Sequence, residues 1–559
     1  MASLSENGTY ILAYDLGTTG NKSCLYRIRD KIELIDAYLV EYPLYTTDDG
    51  GAEQKADDWW NAVCSSTREI VKCTSVKPEQ IKGITFSSQM QGSVVVDKEG
   101  NALRNPMTYM DQRSTAQIAK YLYHGFPRID NWNALLGLKS LYITGGLAAT
   151  PKDPLWKYLW VKDNEPEVFK KVYKWLDVKD YLTLQCTGKY SMTFDSAHLT
   201  WVYNTRKGKL GWSKSLCKTF DVNMDHLPPV IKSTDVIGGL TQQAAERMGL
   251  IPGIPVFGGG GDTFLTAVGS GALDLYDTHI YVGTSGWVAA NIDRRTVDIA
   301  NFVASILGAI PGEYVYTAEQ ETSGICLQWV RDHLALDEIG MYLDAQHIVD
   351  KTREYDSLYE FLNEIVEQTP PGAGGLIFTP WLHGNRSPRE DAYARGMFFN
   401  LSLSTGKRQM IRAVLEGVAF HKRWMLEAIE KIIPYQKSIR FVGGGAKSDV
   451  WCQIMADITG RNIEIPKNPQ NAGTNGAAIV CAVGLGLIPS FRDAKKLVPV
   501  DKVYAPRSEY KDLYNKSFAV FKELYKQNKK TIQDDERIIW HMRPAAGKTL
   551  PNFLIAFIG

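Results

Sequence analysis

One strand-into-glycine-turn pattern occurs twice in this chain, about half its length apart, and this constrains the fold more than any other feature. An apolar run from Tyr10 to Leu16 enters Gly17-Thr18-Thr19-Gly20, and a second from His279 to Val282 enters Gly283-Thr284-Ser285-Gly286. In each turn, missing side chains let backbone N–H groups and hydroxyls approach an anionic oxygen. The pair predicts duplicated halves facing one nucleotide.

At 559 residues the chain exceeds what one hydrophobic core usually serves, so two large domains are expected. A formal net charge of +1 gives no support for nucleic-acid or acidic-membrane binding, and a small ligand is the better expectation. The first residues lack the basic and apolar regions of a secretory signal, and apolar runs stay far short of the roughly 20 residues of a membrane helix. The eight cysteines are scattered without Cys-x-x-Cys pairs, which predicts idle thiols in a reducing cytoplasm rather than a disulfide frame or zinc site.

Strands are expected over 10–15, 22–26, 35–40, 84–87 and 94–97, with a Trp-rich helix over 56–73. Three strands, a helix and another strand suggest an α/β ribonuclease-H-like core with a mixed central sheet. Residues 110–240 read as helical insertions, and Pro252-Gly253-Ile254-Pro255 returns the chain to a strand that ends in Gly258–Gly261. The second half repeats the order: strand and turn at 279–286, a strand at 314–318, a helix at 323–334, a short strand at 376–378, and strand-glycine-helix at 439–459. The expected division is 9–270, 271–525 and a Lys-rich, frayed tail over 526–559.

Asp262 follows four glycines at a strand end, where another molecule can reach its carboxylate; the alternative is a plain N-cap of the helix that follows. Asp15, just before the first turn, can hold hydrated Mg²⁺ against nucleotide phosphates, or simply close a turn through its own backbone. Gly443-Gly444-Gly445-Ala446, with Ser448, forms a third strand-to-glycine turn able to accept a phosphate or the flat face of a base.

These residues resemble the FGGY carbohydrate kinases of the actin-like ATPase superfamily over about residues 9–510. Pro154-Leu155-Trp156-Lys157-Tyr158-Leu159-Trp160 is similar to the family's first signature, although Lys152 departs from its usual small or aromatic start, and Ala394-Arg395-Gly396 with 411–417 is similar to the second. The resemblance implies two actin-like domains around an interdomain cleft and phosphoryl transfer from Mg-ATP to a sugar or polyol. Asp262 would be the general base and Asp15 would position Mg²⁺. Gly17, Thr18, Thr19, Gly283, Thr284 and Ser285 would hold the triphosphate, and the 443–446 turn with Ser448 would border adenine. Dimerisation is common in that family, though no residue here marks an interface.

For the acceptor, Gln89-Met90-Gln91-Gly92 resembles the xylulokinase Gln-Met-His-Gly run, with Gln91 in place of the histidine. A glutamine amide still hydrogen-bonds vicinal hydroxyls but cannot become cationic. Asp111, in an aromatic-x-Asp-x-Arg segment, is a further candidate for sugar hydroxyls. The expectation is a pentulose kinase of the xylulokinase type. The alternatives are a kinase of another polyol or sugar acid and a non-catalytic ATP-binding switch.

Overall fold

The computed structural model describes residues 8–129, 132–335, 362–391 and 393–542. Its first sheet is built around β1 (Thr9–Leu16), whose Ile11–Tyr14 stretch is wholly buried because both faces of a central strand are covered. β1 pairs antiparallel with β2 (Gly20–Ile28), which pairs antiparallel with β3 (Ile32–Glu41); on its other side β1 runs parallel to β4 (Ile81–Ser88). β5 (Val236–Gly239) and β6 (Pro255–Phe257) complete the order β5-β6-β4-β1-β2-β3. Helix α1 (Ala56–Cys73) covers β2 and β3, and its Trp59 and Trp60 are core residues, as their helical spacing predicts.

The second sheet repeats this plan. β7 (Thr278–Val282) pairs antiparallel with β8 (Gly286–Ile292), and β8 pairs antiparallel with β10 (Tyr314–Gln320), beyond which lies β9 (Val303–Leu307). On the other side β7 runs parallel to β11 (Ser438–Val442), followed by parallel β12 (Asn462–Pro466) and antiparallel β13 (Val500–Tyr504). Each sheet therefore places a glycine turn between its central strand and the antiparallel neighbour. The duplication read from two turns extends to six corresponding strand positions in each sheet.

The halves exchange helices. Helix α4 (Asp262–Gly269) leaves the first sheet and puts Phe264 into a cluster with Trp287, Ala289 and Val315 of the second. Helix α8 (Ala472–Gly484), from late in the chain, lies on β1 and β4 of the first sheet. Tyr26 and Thr474 share a hydrogen bond of 2.8 Å, and Lys22 Nζ donates to the Gln470 carbonyl at 3.0 Å. Where α4 and α8 cross, a Cβ on Gly269 would overlap the Ala472 carbonyl oxygen, and one on Gly476 would overlap that of Leu265. Glycine is needed there for backbone approach.

Two elements differ from expectation. The 323–334 helix is shorter, α5 (Ile325–Val330), and passes into a wider turn at Arg331–Ala335. Residues 526–542 of the segment expected to fray continue a helix (Lys511–Met542) whose earlier turns bury Tyr514, Phe518, Phe521 and Tyr525 against the second core. Residues 543–559 of the expected tail lie outside the described residues. Among the described residues no helix is long and apolar enough to cross a membrane, and no group of three or more His, Cys, Asp or Glu side chains forms a metal cluster.

Candidate active site

Both hydroxyl-bearing turns open onto one cavity of about 340 Å³ between the sheets, lined by Asp15, Gly17, Thr18 and Thr19 from one side and Thr284, Ser285 and Gly286 from the other. The first turn closes by Gly17 N–H donating to the Gly20 carbonyl at 2.9 Å. Tyr42 O–H donates to the Gly17 carbonyl at 2.7 Å and Gln54 Nε2 to that of Thr18 at 2.7 Å, so the turn's oxygens are tied back. The N–H groups of Thr18 and Thr19 have no acceptor among the described residues.

The second turn is braced the same way. Gly283 N–H donates to the Ser285 carbonyl at 3.0 Å, while Gly324 N–H donates to the Gly283 carbonyl at 2.7 Å and Ser323 N–H to that of Thr284 at 3.0 Å. Carbonyls point away and the Thr284 and Ser285 amides remain, which is the arrangement an anion requires. Gly283 itself is behind the cavity wall, against Tyr281. Tyr281 stacks on Trp287 with ring centroids 3.9 Å apart, and both rings line the cavity.

Asp262 is the first residue of α4, on the cavity wall, with Gly261 at the N-cap position; its Oδ1 accepts from Thr263 N–H at 2.7 Å. The glycines before it are needed for packing within the chain. Gly259 has φ +67 and abuts the Phe86 backbone, a Cβ on Gly261 would strike Met90, and Gly261 N–H donates to Asp195 at 2.6 Å. The bare turn thus packs against Phe86 and Met90 on its inner side, while Asp262 itself lines the cavity.

Withdrawal from solvent pushes the Asp262 carboxyl well above the usual carboxylate range, and the charges of Asp15 and Glu319 push it further against the Thr263 N–H. Asp15 is raised as well, by burial, with Lys22 opposing. Lys22 is the register partner of Asp15 across β1 and β2 and lines the same cavity. Once ionised, a carboxylate raised in this way is a stronger base than an ordinary one.

Gln89, Met90 and Gln91 also line the cavity. Gln89 Nε2 donates to Gln54 Oε1 at 2.7 Å, so the residue that braces the first turn also holds Gln89. Gln91 adopts φ +60, uncommon for a residue with a side chain, and Lys157 Nζ donates to its carbonyl at 2.8 Å. Asp111 does not reach the wall. Its fully buried carboxylate is occupied by Arg113 at 2.6 Å and by Ala52 N–H at 2.9 Å, and Tyr109 faces the cavity in its place.

The 443–448 segment is likewise off this wall. Gly443 (φ +94) and Gly445 are glycines because a Cβ on either would press on Val282, at 2.5 Å from its carbonyl oxygen and 2.6 Å from its Cγ1 respectively. Gly444 has open space around its Cα and Ala446 is buried. Ser448 caps helix α7 (Asp449–Thr459) by accepting from Trp451 N–H, and it donates to Asn363 Oδ1 at 2.6 Å. Asn363, Lys447 and Asp449 border a separate cavity of about 740 Å³.

Sequence reasoning missed a charged set at one end of the site. Arg386 pairs with Glu319 at 2.7 Å, and Lys152 pairs with Glu321 at 2.8 Å between the two halves. Arg386, Glu319 and Glu321 line the cavity. The available signal was Lys152 itself, which breaks the first signature's usual start and meets a carboxylate 169 positions away.

Two lobes of ribonuclease-H-like topology, with paired turns on one interlobe cavity, define an actin-like ATPase fold. The chain belongs to the FGGY family of carbohydrate kinases, whose N-terminal and C-terminal domain models match residues 10–269 and 279–485. It is an ATP-dependent phosphotransferase that acts on a sugar hydroxyl. A xylulose kinase of Staphylococcus epidermidis is 29% identical over 527 residues, covering 94% of this chain and 98% of that protein. A gluconokinase of Bacillus licheniformis is 29% identical over 515 residues, covering 92% and 95%. The crystal structure of ligand-bound xylulose kinase from Lactobacillus acidophilus superposes with a TM-score of 0.80 at 26% identity, covering 94% of this chain and 99% of that one.

Proposed function

We propose that the chain transfers the terminal phosphoryl group of Mg-ATP to a hydroxyl of a pentulose, with D-xylulose the foremost candidate acceptor. The carrying observation is that Asp262, with its raised carboxyl, lines the same cavity as both anion-ready turns. The Thr18, Thr19, Thr284 and Ser285 amides and hydroxyls would grip the polyphosphate. Asp262 would accept the hydroxyl proton late in a loose transition state, where alignment matters more than basicity.

A hard carboxylate oxygen on Asp15, beside the first turn, suits a Mg²⁺ that keeps several waters and takes its other ligands from phosphates, so the lack of a three-carboxylate cluster is no obstacle. Bound there, Mg²⁺ would neutralise charge on the transferring phosphoryl group. Two separating lobes would admit substrate, and their closure would exclude water as the competing acceptor.

The charged set bears on acceptor choice. Arg386 and Lys152 are already paired with Glu319 and Glu321, and these carboxylates leave no spare positive charge for a sugar acid. A neutral polyol fits this end better than gluconate. Gln89 and Gln91 would supply its hydrogen bonds.

A coupled ADP-release assay over D-xylulose, ribulose, xylitol, erythritol, gluconate and glycerol tests the reading. D-xylulose is expected to give the highest kcat/KM. Failure of every acceptor to raise turnover above the ATPase blank overturns the pentulose reading, and a preference for gluconate overturns the charge argument.

A further inference from the structure

Beside the acceptor end lies a second interlobe cavity, of about 520 Å³. Its walls are apolar and come from both lobes: Leu141, Leu147 and Trp201 on one side, Ile299, Phe302 and Ile306 on the other. The volume is that of a small-molecule site. Gln91, Glu319 and Arg386 line both this cavity and the active-site cavity, so the two adjoin.

The polar features of the second cavity narrow what it takes. Thr317, from β10, is 8% exposed and lines it, yet its Oγ1 has no hydrogen-bond partner among the described residues. A buried hydroxyl left unpaired is costly, and an occupant with one hydroxyl would satisfy it. The charged lining is Asp153, Asp298, Glu319 and Glu390 against Arg386 alone, which repels an anion. We propose that this cavity binds an uncharged, apolar small molecule carrying one hydroxyl, the aromatic alcohols being the class that fits, with the hydroxyl on Thr317 Oγ1 and the ring body between the lobes.

Helix α2 (Ala134–Thr144) supplies the test. Gly137 lines the cavity, and a Cβ there meets no atom within 4 Å, so Gly137→Phe starts from open space, takes up cavity volume and replaces a helix-weakening residue. The full chain is titrated calorimetrically with 2-naphthol and, in parallel, with 2-naphthoate, an anion of the same shape. The expected result is saturable one-site binding of 2-naphthol, weakened roughly tenfold or more in Gly137→Phe by lost space and about fivefold in the near-isosteric Thr317→Val by the lost hydrogen bond. The naphthoate should bind at least about tenfold more weakly than the naphthol. Absence of saturable binding, equal affinity in both variants and the wild type, or tighter binding of the anion overturns the proposal. Binding is read directly and needs no turnover, so its failure is separate from failure of the kinase reading.

Discussion

The ammonium of Lys157 donates to the backbone carbonyl of Gln91 at 2.8 Å and, from the same buried position on helix α3 (Pro154–Asn164), to that of Thr108 at 2.6 Å. It clamps the left-handed Gln91 to the segment that carries Tyr109. Lys157→Met should leave two buried carbonyls unpaired and let Gln91 drift, raising the acceptor KM roughly tenfold while the Kd for ATP stays within about twofold. Burial pulls Lys157 down to about 7, with Asp111, Asp153 and Asp177 opposing, so in the wild type the acceptor KM should climb as pH rises above neutrality. The variant should lack that climb, and equal pH profiles would remove Lys157 from acceptor positioning.

Asp262→Asn keeps the size of the side chain and removes its basicity. If Asp262 takes the hydroxyl proton, kcat should fall by roughly 10²–10⁴-fold with ATP binding preserved. Steady-state kinetics beside nucleotide titration separates the two effects, and near-normal kcat would exclude the role.

The raised carboxyl of Asp262 also has a sign in stability. The folded state holds that proton more tightly than the unfolded chain, so the associated stability is present in acid and lost as pH rises through the folded value. In nucleotide-free and metal-free protein, Asp262→Asn should therefore raise the thermal midpoint at pH 8 and leave it nearly unchanged below pH about 4. A midpoint difference that grows toward acid would contradict this.

Asp15→Asn should weaken the response to Mg²⁺ more than the response to nucleotide. Turnover measured against Mg²⁺ at fixed ATP should require a several-fold higher metal concentration, as expected when a hard anionic ligand becomes a neutral amide. An unchanged Mg²⁺ dependence would leave Asp15 only its packing against Gly473.

Gly476→Ala should cost about 1–3 kcal/mol, because its methyl meets the Leu265 carbonyl at the helix crossing and the backbones must part. Denaturant unfolding reads the loss. A neutral effect would show that α4 and α8 have room to separate.

Much of the fold was legible because its signals are local. Apolar alternation with glycine punctuation marked β1, β7 and their turns, and Trp59-Trp60 in an amphipathic period marked α1 with the bounds found. The turns and Asp262 could be placed on one cavity because glycine turns and a carboxylate at strand ends are local patterns in the sequence. A carboxylate two residues from an arginine looks the same in sequence whether it faces a ligand or that arginine, and in the fold Asp111 pairs with Arg113. Arg386, Glu319 and Lys152 stayed hidden because they meet only through tertiary contact. The packing of Gly443 and Gly445 against Val282 is a tertiary contact that the 443–446 glycine run does not carry in its sequence.

The helix exchange has a consequence for how the protein comes into being. The first sheet emerges from synthesis long before Ala472–Gly484, the segment that roofs it, so a chain severed near residue 271 would display Ile11, Ala13 and Phe257 to water. Neither severed fragment should be a self-sufficient folding unit, and co-expressed fragments should reassemble only as a pair.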